Sequence, residues 1–373
     1  MWIISILCVA FVIKNMTDKM KYHFLGQSGL RVSELCLGTM TFGEDWGWGT
    51  SKEESRAMFN YFVECGGNFI DTANSYTNGT SERLVGEFIR SDRDRFVLGT
   101  KYTFPTVAGD LNSGGNHRKS MIRSLRDSLI RLGTDYVDLF WLHAWDYSTP
   151  VEEVMKGLDD LVKSGKVLYV GVSDTPAWIV SRANMLAELR GWSPFVALQI
   201  EYSLVERSPE RDLLPMARSL GMTVTPWGAL GGGILTGKYN DVARPSAKSD
   251  GVSVGYTERR LDAVFSDKVN DRNLRIARVV VEIARELGCS ASQLALAWLR
   301  TGRGSVVPII GARKMDQIRD NLDCLDVRIP EDKLLTLEQV SHVDLGFLHD
   351  FFKSRKDRLY GGAYPRLVEH REP

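Results

Sequence analysis

Four polar side chains in this chain each fall just past a short apolar run: Asp71 after Asn68-Phe69-Ile70, Tyr76 five residues on, Lys101 after Phe96-Val97-Leu98-Gly99-Thr100, and His143 after Leu139-Phe140-Trp141-Leu142. Gathered at one mouth, they suit proton transfer to a carbonyl. A tyrosine phenol is a poor acid at neutral pH, with an unperturbed pKa of about 10, and a neighbouring ammonium favours its phenolate and lowers that value. Lys101 is the expected source of that charge and Asp71 the expected anchor of the lysine. His143 is then free to orient a substrate carbonyl or relay its proton. A lysine at a strand end also admits a different chemistry, a barrel lyase with Lys101 as Schiff-base nucleophile, which borohydride trapping would reveal.

The elements that would position these residues repeat. Runs of β-branched and apolar residues alternate with amphipathic stretches, as buried parallel strands do when helices separate them. Eight such runs stand at Leu35 to Met40, Asn68 to Ala73, Phe96 to Lys101, Val137 to His143, Val167 to Ser173, Ala197 to Ser203, Thr223 to Gly228, and Ser305 to Gly311. Ser51 and Glu54 form a capping-box pattern, Thr149 with Pro150 and Glu152 opens another helix, and Gly133, Gly165, Gly191 and Gly221 are placed to stop four. Ile122, Leu125, Leu129 and Leu132 mark the core stripe of one helix. This order predicts an α/β fold, a single (β/α)8 TIM barrel, with a doubly wound open sheet as the fallback. Tyr22-His23-Phe24 and Val32-Ser33-Glu34, around Gly26 and Gly29, predict an N-terminal β-hairpin across the barrel floor. Long loops are expected at the C-terminal face, chiefly the connection holding Gly231-Gly232-Gly233 and the polar stretch from Asp241 to Arg259.

Three segments follow from this reading. Residues 20–345 form the barrel, and residues 346–373 form a tail expected to fold over the substrate pocket with Phe347, Phe351, Phe352 and Tyr360. Residues 1–19 lie outside the fold. Trp2 to Ile13 is almost wholly apolar but shorter than the roughly 20 residues that span a bilayer, so an extension from an upstream start is preferred to a leader or a membrane anchor. The 373 residues carry 47 basic and 47 acidic side chains, for a formal net charge of +0. That balance points away from nucleic acid and anionic membranes as partners. Cys8, Cys36, Cys65, Cys289 and Cys324 form no C-x-x-C pair, so neither a disulfide framework nor a cysteine zinc site is written into the spacing, and a cytoplasmic location is expected.

The motif Gly67-x-x-x-Asp71-Thr72-Ala73-x-x-Tyr76, followed by Ser81-Glu82, Lys101 and Leu142-His143, resembles the aldo-keto reductase superfamily. Further segments share the resemblance, which runs from Met20 over nearly the whole chain: Gly38-Thr39-Met40-x-Phe42-Gly43, Gly171-Val172-Ser173, Gln199-x-Glu201-Tyr202-Ser203, Gly233-x-Leu235-Thr236-Gly237-Lys238-Tyr239, and Gly311-Ala312-Arg313 with Gln317 and Asn321. The resemblance implies a nicotinamide-dependent reductase of aldehydes or ketones that needs no metal. Tyr76 would be the general acid, Lys101 and Asp71 would tune it, and His143 would position a small-molecule carbonyl substrate between apolar walls such as Trp46, Trp48, Trp145 and Trp178.

For the cofactor, the resemblance puts Ser173, Asp174 and Gln199 near the nicotinamide carboxamide and Trp227 beneath the ring, with Gly38, Thr39, Met40 and Asp71 at the same end. Gly228, Ala229, Leu230, Gly233, Leu235 and Lys238 would embrace the pyrophosphate. Gly311, Arg313, Gln317, Asp320 and Asn321 would reach the adenosine, and Arg313 with Lys314 favours NADP(H) over NAD(H). Asp174 stands where the family usually has Asn, and Gly228-Ala229 where it usually has Ser-Pro. A regulatory module of the same fold, signalling cofactor occupancy with little turnover, is the other reading. His23, His117, His342, His349 and His370 have no such constellation and read as surface or packing residues. Neither the oligomeric state nor the particular substrate is legible.

Overall fold

The computed structural model describes residues 20–240, 268–302 and 304–367; residues 1–19 and the stretch from Asp241 to Arg259 lie outside the described residues. The predicted floor hairpin forms from β1 (Tyr22–Phe24) and β2 (Arg31–Ser33), paired antiparallel with Tyr22 opposite Ser33. Eight parallel strands follow: β3 (Cys36–Gly38), β4 (Phe69–Asp71), β5 (Val97–Tyr102), β6 (Val137–Leu142), β7 (Val167–Ser173), β8 (Phe195–Glu201), β9 (Thr223–Trp227) and β10 (Ile309–Ile310). They pair in the order β10-β3-β4-β5-β6-β7-β8-β9, and a parallel bridge between Val224 and Val306 closes the ring. The architecture is the expected (β/α)8 barrel.

Period-two alternation explains why this ring delivers polar groups to its mouth. Cys36, Phe69, Val97, Leu139, Trp141, Ala197 and Val307 form an apolar cluster with Leu25 and Val32 of the hairpin, separate from the larger core around the helices. That smaller cluster is the barrel interior. Residues two or four positions beyond its members face the same way and lie nearer the C-terminal ends of the strands. Asp71 follows Phe69, Lys101 follows Val97, His143 follows Leu139, and Gln199 follows Ala197. The register agrees, aligning Gly38 with Asp71, Asp71 with Gly99, and Ser173 with Gln199. Trp141 fills the layer beneath them because its neighbours are glycines: a Cβ on Gly171 would meet the indole at 2.4 Å.

The helices pack outside the ring. Ser51 caps α1 (Lys52–Glu64) by accepting from the Glu54 amide, but the Glu54 carboxylate does not complete the box; it accepts from the Met315 amide at 2.8 Å. Gly133 and Gly191 end α3 (Arg118–Leu132) and α5 (Ala177–Arg190) in the left-handed conformation, as expected for C-caps. α2 (Thr80–Ile89) precedes α3, α4 (Val151–Lys163) lies between α3 and α5, and α6 (Leu213–Ser219) follows. The stripe on α3 differs from the expectation. Leu125 and Leu132 are buried, but Ile122 is exposed and Met121 takes the core position beside it.

After β9 come α7 (Asp271–Glu286), α8 (Ala291–Leu299), α9 (Met315–Leu322), α10 (Glu331–Val340) and α11 (Phe347–Leu359). Arg207 ties the end of β8 to α10, meeting Glu210 at 2.7 Å and Glu338 at 2.6 Å. The tail docks through Arg211, whose guanidinium donates to the carbonyls of Asp344 and Leu345. Phe347, Phe351, Phe352 and Tyr360 are exposed along α11 and its end. No helix among the described residues is long and apolar enough to cross a membrane. Cys36, Cys289 and Cys324 carry free thiols.

Candidate active site

Asp71, Lys101, Tyr76 and His143 meet at the mouth. Lys101 is fully buried at the end of β5, where its ammonium donates to Asp71 Oδ2 at 2.5 Å, to the Thr72 carbonyl at 2.9 Å and to the Tyr76 hydroxyl at 3.0 Å. Asp71 Oδ1 accepts from Gln199 Nε2 at 3.0 Å, so both of its oxygens are held. Tyr76 opens a tight turn, Tyr76–Gly79, in which Thr77 and Asn78 have φ of 43° and 53°. The Thr77 hydroxyl secures that turn by donating to the Phe42 carbonyl at 2.6 Å and accepting from the Ser81 amide at 3.0 Å. The His143 ring stands edge-on to Tyr76, with centroids 6.0 Å apart, and to Phe104 at 4.6 Å.

The electrostatics depart from the expectation in one respect. Burial raises the Tyr76 pKa above its ordinary value and outweighs the pull of Lys101, with Asp71 and Asp174 adding to the rise. The phenol therefore keeps its proton, the state a general acid needs. Burial also opposes the charge on Lys101, yet Asp71 and Tyr76 more than offset it and hold the ammonium above its ordinary pKa. With its three protons donated, that nitrogen has no lone pair to attack a carbonyl, so the geometry weighs against Schiff-base chemistry. Burial, aided by Lys101, lowers the His143 pKa well below its ordinary value, leaving the ring neutral. Its Nδ1 is buried with no hydrogen-bond partner.

A cavity of about 490 Å³ opens beside this cluster, a size typical of small-molecule sites. Asp71, Tyr76 and His143 line it at one end, with Trp46, Phe104 and Met40 as apolar walls. Gly38, Ser173, Asp174, Gln199, Trp227, Gly228, Ala229, Leu230, Gly233 and Lys238 continue the wall, and Gly311, Arg313, Gln317, Asp320 and Asn321 close the far end. Several expected positions do not line it. Thr39 is buried behind the wall, where its hydroxyl bonds the Asp71 carbonyl; Leu235 belongs to the core; and Trp145 packs against the core instead of the cavity. Of the other tryptophans, Trp48 packs against Trp46 in a tilted pair with ring centroids 5.3 Å apart, and Trp178 is exposed on α5. Thr236 of the Gly233-to-Tyr239 motif lines the cavity too, as do Phe104, Ser292 and Leu296, which were not singled out. Phe104 had a signal, standing three residues beyond Lys101; the others sit in segments with no chemical pattern.

The far end is pre-shaped by the chain itself. Gln317 accepts from the Arg313 amide at 2.8 Å, and Asn321 donates to the Gly311 carbonyl at 3.3 Å. Asp320 has a structural task as well, accepting from Ser290 and Gln293 at 2.9 Å each and so securing the capping box of α8. Gly233 has φ of 97°, and a Cβ there would come within 2.8 Å of Lys238 Nζ. Among the described residues no group of three or more His, Cys, Asp or Glu is arranged to hold a metal ion.

A ring of eight parallel strands with a buried Asp-Lys pair touching a tyrosine, beside a cavity at the strand ends, has the architecture of a barrel enzyme site. The sequence comparisons agree: the chain belongs to the aldo/keto reductase family, whose model matches residues 34–342. It is 39% identical over 351 residues to norsolorinic acid reductase of Aspergillus flavus, covering 91% of this chain and 86% of that one. Norsolorinic acid reductase B of Dothistroma septosporum is 39% identical over 366 residues, with 94% and 88% covered. The aryl-alcohol dehydrogenase [NADP(+)] of Phanerodontia chrysosporium is 37% identical over 344 residues, with 88% of each covered.

Proposed function

We propose that this oxidoreductase uses NADP(H) to interconvert an aldehyde or ketone, preferably one conjugated to an aromatic ring, and its alcohol. The observation that carries the reading is the Tyr76 hydroxyl, 3.0 Å from the Lys101 ammonium in the wall of the cavity. The cavity residues fit a nicotinamide dinucleotide. Ser173 at its wall has a hydroxyl with no well-formed hydrogen bond, the backbone from Gly231 to Gly233 turns through positive φ beside Lys238, and Arg313 lies at the opposite end. When bound, the cofactor supplies hydride to the carbonyl carbon.

The protein's own part follows from charge. Hydride addition builds negative charge on the carbonyl oxygen, and a positioned proton donor removes it. Tyr76 holds that proton because burial keeps its phenol neutral. As the proton leaves, the ammonium 3.0 Å away stabilises the phenolate, and Asp71 keeps the ammonium in place. Neutral His143 orients the carbonyl by a hydrogen bond. Trp46 and Phe104 present aromatic faces for a ring attached to it, consistent with the names of the relatives.

The test is Tyr76→Phe, assayed by NADPH consumption with an aromatic aldehyde. Turnover falls by about 10²- to 10⁴-fold, the usual contribution of a general acid, while NADPH binding stays within about twofold. Equal turnover by the variant would exclude Tyr76 as the acid. Tight NADPH binding by the native chain with no turnover across a panel of aldehydes, ketones and sugars would instead favour the regulatory reading.

A further inference from the structure

Asp174 is the one carboxylate in the cavity wall that the chemistry above leaves without a task. It follows β7, and its φ of 38° puts it in the left-handed region that Asp and Asn tolerate better than most residues. Its backbone is fixed on both sides, the amide donating to the Gln199 carbonyl and the carbonyl accepting from the Trp145 amide, both at 3.3 Å. Its Oδ1 accepts from Trp227 Nε1 at 3.2 Å. No lysine, arginine or histidine among the described residues forms an ion pair with it.

The neighbouring charges are already committed. Lys101 is bound by Asp71 and Tyr76, and Lys268 by Glu201. His143 is neutral, and Asp71 is engaged by Lys101 and Gln199. Asp174 lies in the cavity wall, where the surrounding protein withdraws part of its hydration while leaving the side chain accessible from the cavity. That desolvation raises its pKa to about 6; the Trp227 bond and Lys101 pull the value down, and Glu201 pushes it up. The Ser173 hydroxyl is near enough to lower the value slightly but makes no well-formed bond.

We infer that Asp174 discriminates the redox state of the bound nicotinamide, its carboxylate favouring the oxidised, positively charged ring over the reduced, neutral one. The inference rests on the proposed function, because it needs the nicotinamide at the end of the cavity lined by Ser173, Asp174, Gln199 and Trp227. An asparagine there would offer the same backbone tolerance and a similar acceptor to Trp227, but no charge. The carboxylate therefore adds one thing: an attraction that exists for NADP⁺ and not for NADPH. Because the group titrates at about pH 6, the discrimination is itself pH-dependent. It is present above about pH 6, and protonation removes it as the pH falls through that value.

The experiment measures dissociation constants of NADP⁺ and NADPH separately, by quenching of tryptophan fluorescence, from pH 5.5 to 8 at fixed ionic strength. The ratio of the two constants is the readout. Ionisation of the cofactor's 2'-phosphate affects both forms alike and cancels from it. For the native protein, binding of NADP⁺ relative to NADPH strengthens by about tenfold across the range, the effect of one charge pair partly screened by cavity water. In Asp174→Asn the ratio is flat and stays at the native protein's low-pH value. A flat ratio in the native protein overturns the inference alone, and so does an Asp174→Asn ratio that keeps the native pH dependence. Failure of both dinucleotides to bind at any pH overturns the proposed function and this inference with it.

Discussion

The buried pair of Lys101 and Asp71 makes a quantitative prediction about stability that is independent of catalysis. At the 2.5 Å contact, with an effective dielectric of about 20, the gross attraction is roughly 7 kcal/mol. Desolvating the two ions takes back several kcal/mol each, so the intact pair contributes little net stability. Breaking it is another matter, because the surviving ion keeps its desolvation cost and loses its partner. Lys101→Met therefore destabilises the fold by about 3–5 kcal/mol, leaving Asp71 buried with only the Gln199 amide donating to it. Asp71→Asn is somewhat milder, since the Thr72 carbonyl and the Tyr76 hydroxyl still accept from Lys101. The double variant removes both charges and is less destabilised than the sum of the single variants by at least about 2 kcal/mol. Urea unfolding midpoints of the four proteins, read by fluorescence and circular dichroism together, give the cycle. Effects that add to within about 0.5 kcal/mol would refute the reasoning, because uncoupled sites behave that way. Turnover separates structure from chemistry: all three variants stay inactive, the stability rescue of the double variant included.

Two further perturbations follow from the same geometry. His143 has a folded-state pKa well below that of the unfolded chain, so the unfolded chain binds more protons beneath about pH 6.5 and His143 disfavours folding there. That penalty is absent above about pH 6.5 and grows as the pH falls, with a slope approaching about 1.4 kcal/mol per pH unit. Subtracting the pH–stability profile of His143→Gln from that of the native protein isolates this slope, and parallel profiles would count against it. Gly49 lies where a Cβ would sit 1.6 Å from the Gly43 carbonyl oxygen, in the loop that presents Trp46 to the cavity. Gly49→Ala forces that loop open, with about 1–3 kcal/mol lost in thermal unfolding and weaker KM for an aromatic aldehyde at unchanged NADPH affinity. An unchanged KM would mean that Trp46 does not shape the substrate end.

What the sequence discloses and what it withholds divide along a physical line. The side chains that come from strands were readable because alternation leaves them only two directions: once Phe69, Val97 and Leu139 are taken as interior, Asp71, Lys101 and His143 must share the mouth. Loop residues have no such constraint. Trp46 and Trp145 looked equivalent as pocket walls, yet only Trp46 lines the cavity; its loop is clamped by the Gly43 and Thr50 amides, whereas Trp145 is drawn against the core. Glu54 had the spacing of a capping box, but a second orphan amide, that of Met315 on a helix 261 residues away, took its carboxylate. The sign of the Tyr76 shift was hidden for a related reason. Spacing announces that an ammonium is near, while the competing desolvation depends on how completely the rest of the chain surrounds the phenol, a property of the finished fold. The departure at Asp174 was visible as a letter, and its consequence was not: the charge matters only because the fold sets it in the cavity wall beside the Trp227 indole, with no ion-pair partner among the described residues.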